Sequence, residues 1–284
     1  PGKALGYHGI GASAGFFLGP LYAGWRGYNA GWRAPILEIG IAGIAFAIIF
    51  YLLADEEPPH EESTEFRREQ NRLFPTPALF YLFLAAAFAF SMRDFAGSAM
   101  GSLGSLFLQK AHSLDPKVTG AILSTIFLAS AISNPIFGGL SDRGLVRWTT
   151  LALAISGLSI LAFPHVPASL SAIAFPFYGF FFMATFPMVE GALMGSVPHH
   201  VRGRVFGIFI TIGGFIGNLA HWAAGAYVKQ LGPAALRVES YYSAYAVLAG
   251  MVMLAALGLP CLRALRRREA AQGELAPGIV PKKS

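Results

Sequence analysis

The residues able to do chemistry in this chain are few, and most sit inside long apolar runs. Arg93 and Asp94 fall near the middle of the run 78–107, Glu190 lies in 169–194, and Asn218 and His221 lie in 205–228. His8 is near the start of the first run, 4–25. Charge in hydrocarbon is expensive, so an ionisable residue there is a functional candidate. A guanidinium such as Arg93 can hold an anionic solute through paired hydrogen bonds. A desolvated carboxylate such as Glu190, or an imidazole such as His8 or His221, can carry a proton. Each has a plainer reading. Arg93 can form a structural ion pair with another helix, and Glu190 a gate ion pair or helix-end contact. The histidines can be hydrogen-bonded packing residues, and Asn218 a hydrogen-bond donor in a cavity. Arg93 and Asp94 point about 100° apart around a helix, so they are not expected to pair well with each other. Glu38, near the outer end of the run 33–54, is expected simply to reach water.

The elements that must position these residues are transmembrane helices. The chain of 284 residues is 55% hydrophobic and only 13% charged, where a soluble domain carries about 25% charged residues. Mean hydropathy is +0.54. Eight runs read as spans, at roughly 4–25, 33–54, 78–107, 118–140, 148–163, 169–194, 205–228 and 240–262. Most reach the ~20 residues that cross ~30 Å of hydrocarbon as a helix; the run 148–163 is short unless it extends to about Val166. The strict alternation of a barrel strand is absent, so the fold class is an all-α, polytopic membrane bundle.

The net charge of +6 would point to nucleic acid in a soluble protein. Here its distribution has another cause, and no nucleic-acid partner is expected. With residue 1 placed in the cytoplasm and eight spans threaded, 14 Lys and Arg fall inside, six outside, and Arg93 within the membrane. That asymmetry follows the positive-inside rule and predicts a multi-pass protein of the inner or plasma membrane with both ends of the chain cytoplasmic. The single cysteine, Cys261, excludes an intramolecular disulfide and a cysteine-based metal cluster. It reads as a small packing residue.

Residues 55–76 are polar, highly charged and bounded by prolines, and read as a cytoplasmic linker with a possible short helix over 61–73. Residues 1–54 would close one bundle with two helices, and 77–265 would form a six-helix bundle. Residues 266–284 read as a basic cytoplasmic tail, disordered beyond about Gln272. A weak repeat supports the division. Gly2-Lys3-Ala4-Leu5-Gly6-Tyr7 matches Gly203-Arg204-Val205-Phe206-Gly207-Ile208, and Ala23-Gly24 falls on Ala224-Gly225 at the same offset of 201. A half of about 200 residues holds six spans, so the first half is expected to lack about four helices, which would be partners of this chain.

Three motifs carry a family resemblance. The turn Gly138-Gly139-Leu140-Ser141-Asp142-Arg143-Gly144-Leu145-Val146-Arg147 follows the pattern Gly-x-x-x-Asp-Arg-x-Gly-Arg-Arg at Gly138, Asp142, Arg143 and Arg147. It departs from that pattern at Gly144, one position early, and at Val146. Gly15-Phe16-Phe17-Leu18-Gly19-Pro20-Leu21-Tyr22-Ala23-Gly24 is similar to Gly-x-x-x-Gly-Pro-x-x-Gly-Gly, with Ala23 for a glycine. Arg202-Gly203-Arg204 enters a later span. Together they resemble the major facilitator superfamily of secondary transporters, over nearly the whole chain. The resemblance implies alternating access between two bundles, with the Asp142/Arg143/Arg147 loop latching helix ends, and an antiporter or symporter mode of action. The glycines also have a physical reading. Gly11, Gly15 and Gly19 form a smooth stripe that lets helices approach closely, and Pro20 should bend its helix. Gly97, Gly101 and Gly104 raise the same choice between packing and movement, and Asn134-Pro135 should loosen its span.

The expected function is therefore secondary active transport of a small solute, an organic anion or drug-like compound, coupled to a proton or solute gradient and surrounded by lipid. No enzyme activity, cofactor or metal is expected: Walker, zinc and Rossmann signatures are absent. Two other classes compete with this reading, a non-transporting membrane receptor or scaffold, and an intramembrane serine protease. The second rests on Gly11-Ala12-Ser13-Ala14-Gly15 with His221, but the serine-hydrolase elbow needs a strand before its helix.

Overall fold

The apolar runs of the sequence fold as helices that bury one apolar face on one another and turn another apolar face outward. The computed structural model describes residues 2–54, 73–74, 76–197 and 201–274, of which 2–13, 142–143 and 268–274 are described by backbone alone. The principal helices are α1 (Gly2–Ala30), α2 (Arg33–Leu53), α3 (Pro77–Lys110), α4 (Pro116–Ala162), α5 (Ser171–Met194), α6 (Arg202–Leu231), α7 (Tyr242–Leu254) and α8 (Gly258–Glu274). Among the described residues seven segments are long and apolar enough to span a membrane, the last running through α7 and α8 as Val238–Arg267. Most of the expected linker, with its possible helix over 61–73, lies outside the described residues. The tail expected over 266–284 starts within α8, which runs on to Glu274, and the rest of it lies outside the described residues.

Helix α4 is two spans, Pro116–Ser141 and Gly144–His165. They are separated by non-helical Gly144, at φ 177° and ψ 62°. The chain folds back there. On α5, Gly179 abuts Ile126 while Met188 accepts a hydrogen bond from Thr149. Those α5 positions lie about 14 Å apart, whereas residues 126 and 149 would be about 35 Å apart on a straight helix. The charged turn of the sequence is thus a tight reversal. The short run at 148–163 is the core of a longer span that begins at the turn itself.

Helix α3 is central. It packs against α6, α7 and α8 and buries Phe83, Phe90, Met100 and Phe107. Phe107 sits among Phe163, Tyr241 and Tyr245 at ring distances of 5.0–5.6 Å. Gly97 and Gly104 give room to the rings of Phe182 and Phe175 from α5, so a Cβ at either glycine would overlap a ring. Both are packing notches. Gly101 meets nothing within 4 Å.

Helix α1 crosses the first span of α4 at Gly24 and Gly120. A Cβ on Gly24 would come within 2.7 Å of the Pro116 carbonyl oxygen, and one on Gly120 within 2.5 Å of the Pro20 carbonyl oxygen. Phe16 stacks on Phe127 at 5.0 Å. The contact face therefore runs through Phe16, Pro20 and Gly24, at helical spacing of four. It does not run through the Gly15/Gly19 stripe, which meets nothing within 4 Å. That stripe is rotated by one residue, about 100°, from the seam. Helix α1 continues unbroken through Pro20, and α4 through Pro135.

Helix α2 lies chiefly against α1 and has mean hydropathy 2.4 with its apolar window unburied. Ile41, Phe46, Phe50 and Leu53 are each at least 67% exposed. An apolar surface of that extent is stable against hydrocarbon or other apolar helices, not against water.

Candidate functional site

The site is built on the middle of α3. Arg93 is 1% exposed, near the middle of a long and largely apolar helix. Its guanidinium donates to Asp94 Oδ1 from Nε at 3.0 Å and from Nη2 at 2.8 Å. This differs from the expectation that Arg93 and Asp94 would not pair well with each other. The long arginine stem swings round the helix and closes the 100° gap, since the alternative is an uncompensated charge at depth. Arg93 Nη1 donates to Thr185 Oγ1 of α5 at 3.5 Å, and the guanidinium lies 3.8 Å from the centroid of the Phe186 ring. That face-on contact adds a cation–π attraction in a desolvated setting.

Glu190, on α5 and half-buried, lies within electrostatic range of both Arg93 and Asp94. The centre therefore sets two carboxylates against one guanidinium. Tyr178, also on α5, is buried within range of the Arg93 charge, and its hydroxyl has no hydrogen-bond partner among the described residues. The carboxylate of Asp94 fits under α6: a Cβ at Gly213 would overlap Oδ2.

From Asp94 a polar file runs along α3 at spacing of four, through Ser98 and Ser102. It faces Gly217 and His221 of α6. A Cβ on Gly217 would stand 3.2 Å from Ser98 Oγ, and Ser102 Oγ meets His221 Nδ1 at 2.5 Å. Asn218 belongs to a different face; it is exposed and donates to the Gly214 carbonyl at 2.8 Å. His8 and Gly11, with the Ser13 of the protease motif, lie outside the residues with described side chains. The structure thus gathers Arg93, Asp94 and Glu190, sets His221 along the same file, and leaves Asn218 apart.

In the turn region, Gly138 meets nothing within 4 Å, and Arg147 is exposed with its guanidinium 5.5 Å from the Trp148 ring. The side chains of Asp142 and Arg143 lie outside the described ones. Arg202 donates from Nε to the Val197 carbonyl at 3.2 Å, holding the approach to α6. Glu38 does not simply reach water. It accepts hydrogen bonds from Arg26 at 2.6 and 2.9 Å, and another from the Tyr22 hydroxyl, which join α1 to α2.

Thr185, Tyr178 and Ser102 were not singled out from sequence. Thr185 precedes Glu190 by five positions in the same span, and Ser102 lies two turns beyond Asp94. Polar residues near an intramembrane charge were the available signal. A surface cavity of about 600 Å³ lies elsewhere, between α1 and α2, against Leu18, Tyr22, Trp25 and Ile39.

Comparison with known proteins agrees with this architecture. No curated protein matches the chain. Among solved structures it is similar to a bacterial homologue of the human lysosomal transporter Spinster, in an inward-facing and unoccupied conformation. That match has 16% identity, a TM-score of 0.61, and covers 95% of this chain and 71% of the other. At that identity the likeness concerns the fold. The family model of the Major Facilitator Superfamily matches residues 1–221 and 82–282. The chain belongs to the Major Facilitator Superfamily, a family of membrane transporters.

Proposed function

We propose that this protein carries a small organic anion or drug-like solute across a cell membrane by alternating access, with the Arg93–Asp94–Glu190 centre as the binding and coupling site. The observation that carries the reading is the buried Arg93, held by Asp94 with Glu190 in range. An anionic solute reaches the guanidinium by displacing Asp94. The displaced carboxylate would then stand beside Glu190, two like charges in a low-dielectric site, which is unfavourable. A proton taken up by either carboxylate removes that conflict. Solute and proton then favour the same occupied state, which is the linkage a symporter needs. The Ser98/Ser102/His221 file gives that proton a polar route along α3. The two parts of the chain, 1–54 and 77–265, would rock against each other, with the Gly24–Gly120 crossing as a bearing and the Asp142/Arg143/Arg147 turn as a latch. On this reading both ends of the chain are cytoplasmic.

A second reading rests on the same charge count. Two carboxylates against one guanidinium also attract a cationic solute. Reconstituted protein should be tested for uptake of labelled organic anions and cations with and without an imposed proton gradient. The proposal expects anion uptake stimulated by the gradient, and Glu190→Gln to abolish the stimulation while anion exchange persists. Cation uptake in exchange for protons would select the second reading. The absence of any solute flux would favour a receptor or scaffold.

A further inference from the structure

We infer that the cavity beside the Gly144 turn is a binding site for the headgroup phosphate of an anionic phospholipid. The cavity measures about 180 Å³ and lies where the second span of α4, the end of α5, and α8 meet. Three arginines line it, Arg147 from the turn, with Arg263 and Arg266 from α8, one helical turn apart. All three are exposed, and none forms an ion pair with a described carboxylate. Three guanidiniums around one small cavity repel one another, and an anion seated between them would relieve that repulsion. The guanidinium fork matches a phosphate better than any other common anion except carboxylate.

The rest of the lining says why the anion belongs to a lipid. Leu145 and Leu262 form apolar walls, which a free, fully hydrated phosphate has no use for. Below the arginines, the same last span carries exposed Leu257 (65%) and Leu254 (51%) toward the membrane interior. A basic pocket above an outward apolar stripe is complementary to an amphiphile with its phosphate at the helix ends and its acyl chains along the span. The site is separate from the Arg93 centre and shares no residue with it. Its occupant would bridge the Gly144 turn to α8, tying the proposed latch to the lipid composition of the membrane.

Trp148 gives a direct readout, because Arg147 lies over its ring. The full chain with Trp25, Trp32 and Trp222 changed to Phe retains Trp148 as its single tryptophan. It would be titrated in detergent with dihexanoyl phosphatidylglycerol, dihexanoyl phosphatidylcholine and inorganic phosphate. A saturable fluorescence change is expected with phosphatidylglycerol alone. Arg263→Gln with Arg266→Gln should weaken that binding roughly tenfold or more, whereas the Lys pair at the same positions, which keeps the charge but not the fork, should retain part of it. Arg237→Gln, outside the cavity, should leave it unchanged. Equal responses to both lipids, or no effect of the glutamine pair in a variant that folds, would overturn the proposal. Saturation by inorganic phosphate at the same concentrations would assign the cavity to a free anion and overturn the lipid reading.

Discussion

The chain contains two described ion pairs of the same chemistry in opposite settings. Arg26 and Glu38 join two helices, with their side chains 35% and 36% exposed. Arg93 and Asp94 are neighbours on one helix, with side chains 1% and 16% exposed. The first pair clasps α1 to α2 near the short link between them, where water can solvate either partner if the other is lost. The second has no such refuge. Its arginine is enclosed by Phe90, Phe186 and Thr185, and a second carboxyl group, that of Glu190, lies in range. A clasp balances its own charge and needs nothing more. The α3 centre sets two carboxyl groups against one guanidinium, and in the proposed function that imbalance is what a transported ion answers.

The comparison can be broken most severely at the buried pair. Arg93→Gln leaves Asp94 and Glu190 without a cation, and removing one member of a buried pair costs about 3–5 kcal/mol. Thermal unfolding in detergent should show a large loss, and Asp94→Asn in the same background should restore much of it. A double variant no more stable than Arg93→Gln would mean the pair is not the source of the loss. The next effect should come from the notch that seats Asp94. Gly213→Ala puts a methyl group on Oδ2, an overpacking of about 1–3 kcal/mol. The same change at Gly214, which meets nothing within 4 Å, should be neutral.

The exposed pair should respond weakly. Glu38→Gln is expected to lower the melting temperature by no more than about 3 °C, with the difference shrinking as salt is added. A large, salt-independent loss would show that the clasp is not solvated as described. The smallest effect should be a pH dependence at the corner between α3 and α4. There His112 packs edge-on to Phe107, and burial holds its imidazole below the usual histidine range. The unfolded chain therefore binds the proton more readily than the fold. Stability contributed here is present above the ordinary histidine pKa, near 6.5, and declines as pH falls through it. Melting curves between pH 7.5 and 5 should show this decline, and His112→Gln should remove it.

Much of the frame was legible in the sequence, because length and hydropathy alone define spans in a bilayer. The turn at Gly144 could be read from its charges between apolar runs, and α6 begins beside the second copy of the Gly–basic repeat. Partners were harder. Arg93 was visible as a buried charge, but its pairing with Asp94 depends on how far a flexible stem can bend, which helical spacing does not give. Glycine stripes announced close packing without saying where. The seam of α1 is fixed by Gly120 on a distant helix, so its register emerges only when both helices are placed. Glu38 and Arg26 lie on different helices, and nothing local marked them as partners.

The most direct test of the account is solute flux measured side by side for Arg93→Gln and Glu38→Gln in proteoliposomes, each normalised to folded protein. The account predicts flux at background for Arg93→Gln and close to the unmodified protein for Glu38→Gln. Flux retained by Arg93→Gln would contradict it, and would place the working site elsewhere than at the centre of α3.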